Sequence, residues 1–536
     1  MCVPVNHQVH DSCASTMDVV KKLSKELLKC VLIQVHVIFD FFVDFLFGLY
    51  YDREAQKVPP VNNDLLLKSA TELAQKIRKK EVTSEEVVRT FIERSKEVNH
   101  LINAVVEDRY TAALEEARAV DKLLEQCSDI DALAKTKPFL GVPFTTKEST
   151  EAEGMLHTMG LLCRRDFRSK EDATVVRFFK EAGGILISKT NVPELNLWVE
   201  SRNNVYGQTC NPYNTGRTVG GSSGGEAAIT AACGSACSIA SDIGGSTRMP
   251  AFFTGVFGYK PTEGLTPIKG VGFRKKDYPN TMAAAGPLCK KAEDLTPMLK
   301  VLIGDKVSLL TLDEPVNLEK LNIFYQESSG DLRISKINST MKNALFKAVQ
   351  HFKELTGSAT KIRIPSSEYT YKLWRYWMSQ EQADFKADIT SGRYRATATG
   401  ELCKLMTGKS ELTMAAIIKL IDEDLLPKEN PMWARSSTSL MKQYLVEKLG
   451  DNGVLFFPSS PFPASYHHSY FFRPFNFGYW CLFNVLRFPC CQIPLGLDEQ
   501  GLPIGVQVVA APYKDHLCLA VANELERAFG GWVPPS

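Results

Sequence analysis

Lys147, Ser222, Ser223 and Ser246 are side chains of the kind that can open an acyl bond without a metal, and each lies at a glycine-rich turn or a strand end. Ser222 and Ser223 lie in VGGSSGGEAA, residues 219–228, where Gly220-Gly221-Ser222-Ser223-Gly224 formally fits the G-x-S-x-G nucleophile elbow. An elbow serine follows a buried strand, yet NPYNTGRTVG before this one consists of turn formers and polar residues. An elbow also needs a downstream acid and then a histidine, and His467, His468 and His516 have no such context. The stretch fails as a phosphate loop as well, because Gly225-Glu226 stands where Walker A has Gly-Lys. By pattern alone it is a glycine-rich turn opening a helix.

SIASDIGGSTRMP, residues 238–250, is a better setting for a nucleophile. A small-residue strand runs into Gly244-Gly245 and Ser246, and Pro250 suits the first turn of a following helix. The backbone amides of Ile243 to Ser246 would then point outward, and glycines without Cβ would let them approach a carbonyl as an oxyanion hole requires. A structural tight turn accounts for the same residues. The base is sought at another strand end. GVPFTTKES, residues 141–149, closes on Lys147 in a mostly apolar context, and a buried lysine loses its proton readily. Lys147 could then act as base through a hydroxyl; a solvated lysine is the plainer alternative.

The composition limits the partners. A net charge of +2, with 23% charged residues of both signs interspersed, leaves no basic field for nucleic acid and points to a small or neutral substrate. Fourteen cysteines without C-x-x-C and nine histidines without H-E-x-x-H support neither a disulfide framework nor a zinc site, and the expected compartment is reducing. The chemistry sketched above asks for no metal or cofactor.

The elements that must position these residues form an α/β pattern. After Pro59-Pro60 and Asn62-Asn63, Thr83 to Glu86 reads as a capping box and Val87, Val88, Phe91 and Ile92 recur at helical spacing, so residues 64–128 are expected as consecutive amphipathic helices. From Phe139 short apolar runs bounded by glycine and proline, such as GGILISKT and VLFFPSS, alternate with helical stretches such as 338–356. This predicts an α/β fold with a central sheet covered by helices on both faces. Between Tyr466 and Phe483 nine of eighteen residues are aromatic, which suits a core layer or an acyl-chain channel.

The N-terminal region is of another kind. No Lys or Arg precedes Lys21 and no A-x-A site follows the apolar run, so a removable secretory signal is not expected. VLIQVHVIFDFFVDFLFGLY, residues 31–50, holds fourteen Val, Leu, Ile and Phe, which favour membrane insertion by roughly 4 to 8 kcal/mol, while Asp40 and Asp44 oppose it by roughly 5 to 7 kcal/mol. On a helix Lys22, Glu26, Lys29, His36, Asp40 and Asp44 form one narrow polar stripe, with Lys25 beside it. Such a helix lies in the membrane interface or spans with its stripe against a partner; a soluble helix docked on its own domain is the third reading.

GVPFTTKES, GGSSGGEAA and DIGGSTRMP together, with TNVPELN at 190–196 and GLPIGVQVVA at 501–510, closely resemble the amidase signature family, from about Leu65 to the end of the chain. The separations of 75 residues from Lys147 to Ser222 and 24 from Ser222 to Ser246 also look like that family's. The resemblance implies the amidase signature fold, a mixed central sheet with helices on both faces preceded by a membrane-associated helix. It divides the chain into a polar segment 1–21, an amphipathic or transmembrane helix 22–50, a linker 51–63 and the amidase signature domain 64–536. It assigns Ser246 as nucleophile, Ser222 as a bridging serine after a cis peptide, and Lys147 as terminal base. Ile243, Gly244 and Gly245 become oxyanion donors and Asn196 a neighbour of the bound acyl group. Glu148 stands where many members have Asp. The hydrophobic helix brings the chain nearest the family's membrane-bound members acting on fatty-acid amides. The expected partners are accordingly a lipid amide, an intracellular membrane and a second copy of the chain, with no nucleic acid. A glutaminase-type amidotransferase A subunit and a catalytically silent membrane scaffold are the alternatives.

Overall fold

The computed structural model describes residues 16–535, apart from the side chains of residues 16–23, 25 and 26. The expectations for residues 1–15 and for the side chains of Lys22, Lys25 and Glu26 lie outside the described residues.

Eleven strands form one mixed sheet. In spatial order they are Val105–Asp108, Ile185–Thr190, Pro143–Lys147, Cys237–Asp242, Ala284–Cys289, Phe257–Lys260, Cys490–Leu497, Pro503–Ala510, Gly453–Pro458, Asn322–Tyr325 and Thr360–Lys361. Gly453–Pro458 is buried throughout, and its side chains divide by the two-residue strand period: Val454 and Phe456 pack into one core, Leu455 and Phe457 into another. The first core is closed by the helices Ser339–Thr356 and Asp515–Phe529, the second by Arg248–Phe253, Pro431–Leu449 and Gly478–Leu486. A sheet buried on both faces needs near-continuous apolar runs, which is why these strands read as VLFFP and PIGVQVVA rather than as alternating patterns.

Two strands matter most for the site. Pro143–Lys147 and Cys237–Asp242 are parallel neighbours with Thr145 opposite Ser238 and Thr146 opposite Ile239, so their carboxyl ends finish side by side. Residues leaving those ends converge on one crevice, the usual place for a ligand in an open α/β sheet.

Two local expectations change. The stretch 64–128 is not wholly helical: between the helices Ser84–Ile102 and Tyr110–Gln126 the chain lays down Val105–Asp108, an edge strand antiparallel to Ile185–Thr190. Four residues between helices carry too little period to be distinguished from a loop. The polar residues before VGGSSGGEAA also contain a strand, Asn214–Thr218, paired with Cys210–Asn211 in a small separate ribbon and bridged at Arg217 to Tyr466. That strand lies outside the central sheet and supplies no elbow.

The apolar segment is one helix, Thr16–Tyr51. Its stripe residues Asp40 and Asp44 face Arg473 of the chain's own globular part, while Phe41, Phe42, Phe45 and Leu46 are exposed. The helix is therefore docked through its polar side.

Candidate active site

Lys147, the last residue of its strand, has no exposed surface, and its Nζ lies 2.8 Å from Ser222 Oγ and 2.9 Å from Ser241 Oγ. Ser222 follows the cis Gly221-Ser222 bond in a turn packed so closely that a Cβ at Gly221 would fall 2.4 Å from the Trp198 carbonyl oxygen. The next residue joins this turn to the second serine turn: Ser223 N–H donates to the Ser246 carbonyl at 3.1 Å, and Ser223 Oγ to the Ser241 carbonyl at 3.3 Å. Lys147, Ser222 and Ser246 are thus brought to one place from three separate segments. Ser246, 8% exposed, and Ser222, 1% exposed, both face one polar cavity.

The turn from Ile243 to Ser246 is shaped from beneath by Asp242. Its Oδ1 accepts the Gly245 N–H at 2.6 Å and its Oδ2 the Thr247 N–H at 3.2 Å. A fully buried Arg248 pairs with the same carboxylate at 3.1 Å and donates to Gln507 Oε1 at 2.6 Å and Asn484 Oδ1 at 2.7 Å, while Asn484 Nδ2 returns a bond to Asp242 Oδ1 at 2.8 Å. Burial is the largest influence and would raise the Asp242 pKa, but the Arg248 charge, the hydrogen bonds from Arg248 and Asn484 and the Lys260 charge together outweigh it and hold the carboxyl down at about 2. Gly245 is required here on two counts: its φ is +106°, and a Cβ would meet Trp480 Cβ at 2.2 Å.

These bonds decide which amides are open. The Gly245 N–H is engaged by Asp242, whereas those of Ile243, Gly244 and Ser246 have no internal acceptor among the described residues. The Ile243 carbonyl is held from the other side by Trp374 Nε1 at 3.1 Å, which fixes the plane of the following peptide. The turn therefore presents unpaired donors beside the Ser246 hydroxyl, as stabilisation of a tetrahedral oxyanion requires.

Burial lowers the Lys147 pKa to about 7, and the charges of Glu226 and Asp242 oppose the shift without cancelling it. Glu226, on the helix Gly224–Ala231, accepts from Thr145 Oγ1 at 2.7 Å and Thr190 Oγ1 at 2.6 Å, and burial raises its own pKa to about 7. The sequence reasoning missed Ser241, Asp242, Glu226 and Arg248. A signal existed for one pair: Asp242 and Arg248 are charges within an otherwise small and apolar run, and buried charges come paired.

Two cavities meet at Ser246. One is lined mainly by apolar groups, among them Trp198, Val199, Tyr371, Trp374, Ile418 and Phe477. The other is rich in charged groups, including Arg274, Glu381, Asp384 and Lys428. Asn196 borders both, and its Oδ1 is buried without a hydrogen-bond partner. Within the aromatic run 466–483, Tyr479, Trp480 and Phe483 belong to the core and Phe477 to the wall of the apolar cavity.

Comparison with known proteins gives consistent results. The profile of the family described as Amidase matches residues 86–519. Fatty-acid amide hydrolase 2-A of Danio rerio is 42% identical over 500 residues, covering 91% of this chain and 94% of that protein. Fatty-acid amide hydrolase 2 of Homo sapiens is 42% identical over 495 residues, covering 90% and 93%. Among solved structures, a fatty acid amide hydrolase matches with a TM-score of 0.70 at 21% identity, covering 95% of this chain and 91% of that one, a likeness of fold.

Proposed function

The chain belongs to the amidase signature family and is an amide hydrolase, and from that premise we propose that it cleaves fatty-acid amides, both N-acylethanolamines and primary fatty amides, by a Ser-Ser-Lys acyl-enzyme route. The observation that carries the reading is the apolar, aromatic-walled cavity ending on Ser246, next to the buried Lys147–Ser222 hydrogen bond. The relatives named fatty-acid amide hydrolase 2 support the same substrate class.

The steps follow from the atoms. Neutral Lys147 has two N–H donors and one lone pair; Ser241 Oγ takes one donor, leaving the lone pair for the Ser222 proton. Ser222 in turn takes the Ser246 proton as Ser246 Oγ attacks the amide carbonyl, and the open amides of Ile243, Gly244 and Ser246 receive the oxyanion. The C–N bond breaks as the proton returns through Ser222 to nitrogen, because an amine anion is a poor leaving group. Water, activated by the same relay, hydrolyses the acyl-enzyme. The charged cavity admits that water and releases the amine, while the fatty chain stays in the apolar one. Asn196 borders both cavities, a place that suits a neighbour of the bound acyl group. The exposed apolar face of the helix Thr16–Tyr51 supports residence on a membrane, where such substrates partition.

A hydrolysis panel of primary amides and N-acylethanolamines of graded chain length tests the assignment. Rising kcat/KM with chain length is expected. Preference for short polar amides would overturn the lipid substrate while leaving amide hydrolysis in place.

A further inference from the structure

The N-terminal helix is tied into the wall of the substrate cavity through one buried cation. Arg473, with a side chain 1% exposed, donates from Nη1 to Asp44 Oδ1 at 2.8 Å and from Nη2 to the Asp40 carbonyl at 2.6 Å, and its Nε lies 2.9 Å from Asp40 Oδ1. Asp40 Oδ1 also accepts from Ser335 Oγ at 3.1 Å. Ser335 is clasped by Asn476, which accepts its N–H at 2.8 Å and donates to its hydroxyl at 3.0 Å. Phe39 and Phe47 of the helix pack on Phe472, at ring-centre separations of 6.5 and 5.8 Å. The helix thus grips residues 472–476 by two carboxylates and two rings.

Those residues lead straight into the cavity. Pro474 and Phe477 line it together with Ser246. Phe475 meets the cavity residue Tyr371 edge-on at 5.3 Å. Phe477 lies 4.7 Å from Trp374, whose indole N–H holds the Ile243 carbonyl, and a Cβ at Gly244 would stand 2.6 Å from Phe477 Cζ. Contacts are continuous from the membrane-type helix to the turn that carries the open amides.

We propose that Asp40 and Asp44 are positioning residues for acyl-chain selection: by neutralising Arg473 they fix the 473–477 turn, and with it the wall against which a long chain packs. A buried guanidinium deprived of its anions is drawn toward water and takes its turn with it. The carboxylates that count against membrane insertion are therefore retained for the cavity. The inference rests on the acyl-cavity reading given above and assigns the helix a part in specificity beyond attachment.

The test uses the full chain in detergent, where attachment to a bilayer no longer matters. Wild type, the double variant Asp40→Asn/Asp44→Asn and Arg473→Lys are compared on oleamide and butyramide, with labelling by a small fluorophosphonate reporting an intact site. The ratio of kcat/KM for oleamide to that for butyramide should fall about tenfold in the double variant, mostly through KM, and less in Arg473→Lys. If the double variant does not label, Arg473→Lys decides. An unchanged ratio in a labelling variant, or a parallel loss on both substrates, overturns the proposal. Wild type that does not prefer oleamide removes the substrate reading first, and this inference with it.

Discussion

Lys147 Nζ and Ser222 Oγ stand 2.8 Å apart at the end of a fully buried strand, and Ser241 Oγ holds the other side of the same nitrogen at 2.9 Å. Among the described residues, two hydroxyls and no carboxylate contact the amine; Glu226 and Asp242 act on it through space. A lysine so placed is solvated by groups that tolerate its neutral form, which is the form a proton relay needs.

The rate should follow that neutral fraction. With the Lys147 pKa lowered by burial to about 7, kcat/KM for a non-ionising amide should rise about tenfold per pH unit below pH 7 and level off above it. A pH profile of acylation in single turnover checks this, and a flat profile between about pH 5.5 and about pH 8.5 would remove Lys147 from the role of base.

The same shift affects stability. The folded pKa of about 7 lies below the ordinary lysine value of 10.5, so between these values the unfolded chain binds more protons and stability rises with pH. Below pH 7 the penalty for holding the charged amine is complete. Lys147→Met, which keeps the volume and removes the charge, should therefore raise Tm more at about pH 6 than at about pH 9 while abolishing hydrolysis. An equal gain at the two pH values would contradict the lowered pKa.

The two serines should separate. Ser246→Ala is expected to remove fluorophosphonate labelling altogether. Ser222→Ala should still label but acylate about 10²- to 10⁴-fold more slowly, the usual contribution of a proton-transfer group. Ser223 gives the site its backbone N–H and a side-chain bond of 3.3 Å, so Ser223→Ala should cost no more than about 1.5 kcal/mol of stability and keep most activity. Labelling of Ser246→Ala at the same serine-dependent rate would displace Ser246 as nucleophile.

Asp242→Asn tests what holds the turn from Ile243 to Ser246. The substitution leaves Arg248 buried without its anion, and breaking such a pair costs about 3 to 5 kcal/mol. Urea unfolding should show that loss, with hydrolysis falling further than labelling, because the amide keeps one acceptor oxygen and sets an NH2 donor against the other of the Gly245 and Thr247 N–H groups. A change below about 1 kcal/mol would mean the pair does not hold the turn.

What could be read from the sequence divides along physical lines. Lys147, Ser222 and Ser246 stand out because their turns need glycine at fixed offsets, a local demand written in adjacent letters. Asp242 could not be connected to Asn484, nor Arg248 to Gln507, in the same way, since those partners arrive from a helix and a strand more than two hundred residues away. Helical periodicity placed Asp40 and Asp44 on one face, but the residue that answers them, Arg473, is 429 residues beyond Asp44. The strand Val105–Asp108 escaped because four residues at a sheet edge are stabilised by their neighbour rather than by their own pattern.

The docked helix makes one further prediction. Asp40 and Asp44 are committed to Arg473, and just past the helix's C-terminal end Asp52 accepts from Tyr466 OH at 2.7 Å, so the length from Asp40 to Asp52 is held along the globular part. Phe41, Phe42, Phe45 and Leu46 face away from it and are more than half exposed, a concentration of apolar surface that water does not tolerate unpartnered. Replacing these four with serine should lower partition into phosphatidylcholine vesicles by at least about 100-fold, since burying each such side chain contributes roughly 1.5 to 3 kcal/mol. Flotation measures the loss, and butyramide hydrolysis in detergent should be unchanged. If the face instead joins two copies of the chain, flotation will persist and the mass by light scattering in detergent will halve.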